Sequence, residues 1–161
     1  MTASKDFFGR IPAFPGGCAI CEVEIDPGTG TVDITRYLTV DDVGQAINPM
    51  IVEGQTHGGI AQGIGQALFE GVRFQDGQVV TGSFMDYGIA RADDVPSFET
   101  RRTEDPTALN RLRVKGAGEG GIAPVTAAVT SAICDALRSQ GILDLPMPMT
   151  AATIWWALKT G

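Results

Sequence analysis

The sequence predicts an α+β fold: β-hairpins packed with a glycine-rich helix and two C-terminal helices. Three patterns predict it. From Cys18, Ala19, Cys21, Val23 and Ile25 alternate with Glu22, Glu24 and Asp26, the period of a half-buried strand. Ile60, Ile64, Ala67 and Leu68 fall at helical spacing within Glu53–Glu70. Val125, Val129, Ala132, Ile133, Ala136 and Leu137 form an apolar stripe of helical period.

In chain order, residues 1–17 carry Pro12, Pro15, Gly16 and Gly17 and read as a loose lead-in. Pro27-Gly28-Thr29-Gly30 is a turn, and Val32, Ile34, Tyr37, Leu38 and Val40 continue as the second strand of a hairpin. Cys18 and Cys21 have a C-x-x-C spacing. Residues three apart on a strand face opposite ways, so their thiols do not converge on a metal and read as core cysteines. Asp41 and Asp42 end the strand; as an isolated pair they are a weak cation signal. Asn48-Pro49 suits a turn or the start of a helix.

The segment Glu53–Glu70 contains five glycines. In a helix they cost about 4 kcal/mol relative to alanine, a large part of a domain's net stability. Something must offset that. Gly54, Gly58, Gly59, Gly63 and Gly65 leave one side nearly bare, so another element or a flat ligand can approach. Gln55, His57, Gln62 and Gln66 can project beside it, and a glutamine amide both donates and accepts. For His57 the simpler reading is a buried imidazole satisfied by backbone. Beyond Gly71, Val72–Gln75 and Gln78–Thr81 flank Asp76-Gly77 as a second hairpin with a type I′ turn. Phe98 to Thr103 is a short strand. Gly141 stops the stripe helix, Leu145–Met149 is an extended link, and Thr150 caps a last helix through Ile154, Trp155 and Leu158. Trp156 is placed to face a partner.

Composition bounds the function. The 161 residues form one domain with a real core, carry a net charge of −7 and include 21 glycines and three cysteines. An acidic chain without a basic patch is not built for nucleic acid. No stretch approaches the ~20 apolar residues of a membrane span. No signal-like apolar run opens the sequence, and three cysteines suit a reducing compartment, so a cytoplasmic location is expected.

The most unusual stretch runs from Lys115 to Ala128. Glu119 stands among Gly116, Gly118, Gly120 and Gly121, just ahead of Pro124 and the stripe helix. A carboxylate on a tight loop is what a catalytic acid or base needs. By local chemistry alone, the simpler reading is a solvated glutamate that complements the helix dipole.

Five ordered blocks add to this: Val40–Gly44, Ile47–Pro49, Val52–Leu68, Thr81–Tyr87 and Lys115–Gly121. Together they resemble the C-terminal part of the molybdenum-binding large subunit of the molybdenum hydroxylases (xanthine dehydrogenase, aldehyde oxidase and aerobic carbon monoxide dehydrogenase). The wording is nearest the carbon monoxide dehydrogenase branch. The match runs from about Phe14 to Leu158, and the family's subunit is several times longer.

The resemblance implies a C–H or carbon monoxide oxidation that uses oxygen from water. Glu119 matches the family's general base beside molybdenum. Gln62 matches a glutamine that hydrogen-bonds the molybdopterin, in its cytosine dinucleotide form. Ala117 and Gly118 match backbone positions lining the cofactor, with Gly59 and Gly63 on the facing helix. No residue of the chain is expected to ligate the metal itself. The implied partners are the missing N-terminal portion of the subunit, a 2Fe-2S iron–sulfur subunit and an FAD subunit. Without that missing portion the chain is expected to be inactive. Two other readings keep the residues without the chemistry: a non-catalytic remnant or assembly module, and a generic small-ligand binder. The residues that choose a substrate lie outside this chain.

Overall fold

The computed structural model describes Thr2, Ser4 and residues 12–160. Strands β1 (Gly16–Ile25) and β2 (Val32–Asp42) form the expected antiparallel hairpin, with a register shift between Glu22 and Val23. β1 begins at Gly16, inside the stretch expected to be a loose lead-in. Asp26 closes the turn: its carboxylate accepts from Gly28 N at 2.8 Å and from Thr29 Oγ1 at 2.7 Å. Gly30, with φ of 75°, fits against the start of the last helix, where a Cβ would lie 2.7 Å from Trp155 N. Only glycine combines that backbone with that approach.

Helix α1 (Pro49–Leu68) starts where Asn48 caps Ile51 N at 3.3 Å and Pro49 occupies the first turn. Strands β3 (Phe74–Gln75) and β4 (Gln78–Val79) turn through Asp76 and Gly77, both at positive φ as a type I′ turn requires. This hairpin is shorter than its sequence suggests. Phe74 and Val79 are exposed, and a two-stranded ribbon with no surface to pack on gains little from lengthening. β5 (Phe98–Thr103) adds to the edge of β2 in parallel, Tyr37 opposite Phe98 and Asp42 opposite Thr103. The long connection through α1 supplies the crossover that parallel pairing needs.

Helix α2 (Val125–Leu137) buries Val125, Val129, Ile133 and Leu137 and ends through a 3-10 turn at Gly141, φ 80°. Thr150 caps Thr153 N at the start of α3 (Ala151–Thr160), which buries Ile154. The core unites these helical residues with Ile34 and Tyr37 of β2, and Ala19, Cys21, Val23 and Ile25 pack on it from β1.

Two expectations are corrected. Cys18 is exposed and not a core cysteine, since it shares the outer face of β1 with Ile20, which is 57% exposed. Cys21 is the inward thiol, pushed up to about 11 by burial and then by Glu22, so it is inert. His57 is not buried against backbone either. Its half-exposed ring lies edge-on to Phe98, with Thr100 Oγ1 at 3.4 Å and Glu53 at 4.0 Å.

Candidate active-site loop

The segment 113–123 forms the later part of the connection from β5 to α2, and its two ends are fixed differently. At the first end it runs beside the chain that leaves β2: Gln45 N donates to Arg113 O at 3.0 Å, Lys115 N to Val43 O at 2.9 Å, and Gly116 N to Ala13 O at 3.0 Å. Lys115 Nζ donates to Asp42, whose carboxylate also accepts from Gly44 N and Asp105 N, each at 2.9 Å. At the other end the loop touches α1 through main chain. A Cβ on Gly121 would lie 2.5 Å from Thr56 O, and one on Gly59 would lie 2.7 Å from Ile122 N. The glycine cost in α1 is therefore offset in part by close approach of the loop, and Gly63 continues the contact against Val125.

Between those ends lies the arc that carries Glu119. Its side chain is exposed, and its carboxylate makes no hydrogen bond or ion pair among the described residues. Its carbonyl accepts from Ala123 N at 3.1 Å, closing the turn that leads into α2. Gly118 and Gly120 have open space where a Cβ would be. Among the described residues, none of the backbone N–H groups from Ala117 to Ile122 donates to a protein acceptor. Gly121 and Ile122 are packed against α1, so the available donors around the free carboxylate are those of Ala117 to Gly120.

Asp41 and Asp42 do not form a cation pair, because neighbouring strand residues face opposite sides. Asp41 is buried and accepts from Thr39 Oγ1 at 3.1 Å and Thr56 Oγ1 at 3.5 Å; burial pushes its carboxyl up. Asp42 is held down to about 2, chiefly by the Lys115 hydrogen bond and then by the two amides. A carboxylate whose folded value lies below its ordinary value stabilises the fold above that ordinary value, near pH 4, and loses the contribution as pH falls through its folded value. The melting temperature of the wild type should therefore decline between about pH 4 and pH 2 more steeply than that of Asp42→Asn. Asp26 and Glu99, also held down by hydrogen bonds, decline equally in both proteins, so the difference isolates Asp42 and its facing groups Lys115 and Asp105. Parallel profiles would contradict the assignment.

Gln62 lies three residues after Gly59 on α1 and is exposed. With Gln66 one turn on, it lines a cleft of about 340 Å³ completed by Glu70, Gly71, Val72 and Tyr87. The Tyr87 hydroxyl donates to Glu70 Oε2 at 2.6 Å and so ties the 82–89 loop to the end of α1. Sequence reasoning misses Tyr87 and Glu70, because nothing local pairs a helix-end glutamate with a tyrosine in a later loop. Of the residues expected to meet a cofactor, Gln62, Ala117 and Gly118 lie on this open side or on the loop. Gly59 and Gly63 instead contact the loop and α2 through their α-carbons.

The family model described as "Molybdopterin cofactor-binding domain" matches residues 3–96, more than half of the chain. The chain belongs to that family. Curated relatives extend the match through the Glu119 loop. The nicotine 6-hydroxylase large subunit of Paenarthrobacter nicotinovorans is 41% identical over 149 residues, 92% of this chain and 18% of that protein. The carbon monoxide dehydrogenase large chain of Hydrogenophaga pseudoflava is 35% identical over 147 residues, 91% of this chain and 18% of that one. A run of 149 in 161 residues includes the 115–121 segment wherever it starts.

The crystal structure of Cu,Mo-CO dehydrogenase superposes with a TM-score of 0.86 at 32% identity, over 90% of this chain and 18% of that one. Membership of a molybdopterin cofactor-binding family and the α+β fold both follow. The chain spans 18% of the length of these curated relatives. The carbon monoxide dehydrogenase branch, nearest by wording, is matched at lower identity than the nicotine hydroxylase.

Proposed function

We propose that this chain forms one side of a molybdenum hydroxylase active centre, with Glu119 as the general base. The observation that carries this reading is the pinned loop itself, a partnerless carboxylate within a run of backbone N–H groups that have no protein acceptor. The residues fit a molybdopterin. A large ligand rich in acceptors can lie against main chain only where side chains are absent, and Gly118 and Gly120 provide that opening. In this reading the cofactor is the cytosine dinucleotide form. When bound, it supplies the two-electron redox chemistry of the oxidation.

The chain's own residues then do three things. Backbone donors from Ala117 to Gly120 hold acceptor atoms of the ligand. The Gln62 amide donates and accepts beside them. A carboxylate oxygen of Glu119 takes the proton from the water-derived nucleophile as it attacks an electrophilic carbon, and its position on a loop fixed at both ends keeps that oxygen in reach.

The centre is completed by the rest of the molybdenum-binding subunit, with iron–sulfur and FAD subunits as electron acceptors, in the cytoplasm. Exposed apolar side chains support a protein partner. Phe84 is 84% exposed and Met85 94%, with Phe74, Val72 and Ile89 close in sequence. So many exposed large apolar side chains along one stretch of sequence favour a covered interface over a free surface. Among the described residues no helix is long and apolar enough to cross a membrane.

Gln62 tests the cofactor reading without disturbing the fold, since its side chain is exposed and makes no hydrogen bond among the described residues. In the chain assembled with the rest of its complex, Gln62→Ala should lower pterin retention on dilution by about tenfold, the worth of one or two hydrogen bonds. The circular dichroism of the chain should not change. Retention equal to wild type would remove Gln62 from the site.

A further inference from the structure

The adjacent aspartates at the end of β2 have a use that cation binding does not explain. Asp42 gathers three donors on one carboxylate: Gly44 N, Asp105 N and Lys115 Nζ. The Asp42 and Lys115 side chains are only 17% and 14% exposed. Lys115 is four residues before Glu119, at the point where the loop leaves the β2 extension. Its own backbone N–H is bonded to Val43 O, and Gly44 pairs with Val114. The far end of the arc is held by Gly121 on the main chain of Thr56, and the Thr56 hydroxyl donates to Asp41. One strand end thus reaches both ends of the loop, Asp42 through Lys115 on one side and Asp41 through Thr56 on the other.

We infer that the Asp42–Lys115 ion pair is a latch that positions Glu119, and that Lys115 and Asp42 are positioning residues of the reaction. The inference rests on the reading of Glu119 as base. Neither residue belongs to the apolar core, so removing the pair frees the loop more than it loosens α2. Without Asp42, Lys115 is left with only the exposed Asp105 carboxylate, 3.5 Å from its Nζ, a weaker and solvent-screened partner. Arginine keeps the charge and can keep the bond, whereas methionine keeps the length and loses both.

Amide hydrogen exchange on the full chain reads the latch directly. Lys115→Met and, independently, Asp42→Asn should raise exchange by about tenfold at Gln45, Gly116 and Ala123, the hydrogen-bonded amides at the two ends of the arc, with a smaller rise in α2; Lys115→Arg should stay near wild type. In the assembled enzyme, Lys115→Met should lower kcat by about 10–100-fold with KM nearly unchanged, as expected when a reacting group is misplaced. Unchanged loop exchange in both variants would overturn the latch, and so would an equal rise in α2, which would make the pair a general fold contact. Wild-type kcat in Lys115→Met would also overturn it, provided Glu119→Gln abolishes turnover. If Glu119→Gln itself turns over normally, the base reading fails and the exchange experiment alone decides whether the latch exists.

Discussion

Replacing Glu119 with glutamine should lower turnover of the assembled enzyme by about 10²–10⁴-fold, the usual loss on removing a general base. The substitution keeps the volume of the side chain and removes only its ability to take a proton. Because the carboxylate has no partner among the described residues, the melting temperature should be close to wild type. Molybdenum and pterin content should also be unchanged, since the loop's backbone donors are untouched. Turnover, melting and cofactor content together separate lost chemistry from lost structure. Turnover within a few-fold of wild type would assign Glu119 to the solvated role that its local sequence suggests.

The second large effect is expected at Gly121. A Cβ there would lie 2.5 Å from Thr56 O and 2.8 Å from Thr56 Cα. Both are main-chain atoms of α1 and cannot swing aside as a flexible side chain could. Gly121→Ala must push the loop off the helix, at a cost of about 1–3 kcal/mol, or about 3–10 °C in melting temperature. A displacement near 1 Å at the base of the arc would cost roughly 100-fold in turnover as well. Its neighbour is the control. Gly120 has open space at its Cβ position, so Gly120→Ala should melt as wild type does. Gly59→Ala approaches the same contact from the helix side, and the two substitutions should not be additive. Scanning calorimetry on the three variants checks this account, and a Gly121→Ala protein that melts like Gly120→Ala would refute it.

Much of the fold is written in local periodicity. The β1–β2 hairpin, α1, α2 and α3 follow from spacing, turn residues and caps within short windows. What short windows do not encode is partnership. The glycines of α1 announce a close approach but not its partner. Gly59 meets Gly121 across a long sequence separation, and no pattern around either residue names the other. The same holds for Asp42 and Lys115, and for the parallel pairing of β5 with β2. The surroundings of Cys18 and His57 are hidden from the sequence for a related reason. Alternation and hydropathy tell which residues share a face, but not whether anything covers it, and the outer face of β1 and the Glu53 side of α1 are left open.

The site was legible in two stages. Composition and spacing single out a glycine-framed carboxylate and a polar edge on α1. Their proposed meaning as parts of a cofactor site comes from the ordered family resemblance, because the chain spans only 18% of its relatives' length and the pattern of the whole site cannot be read from it.

The most direct measurement of the central claim is the molybdenum and pterin content of the chain purified under native conditions with the proteins that accompany it. Molybdenum and pterin should appear in equal amounts, close to one per chain, only in fractions that also contain the remainder of a molybdenum-binding subunit. A stable complex of the two polypeptides that holds neither molybdenum nor pterin would contradict the claim.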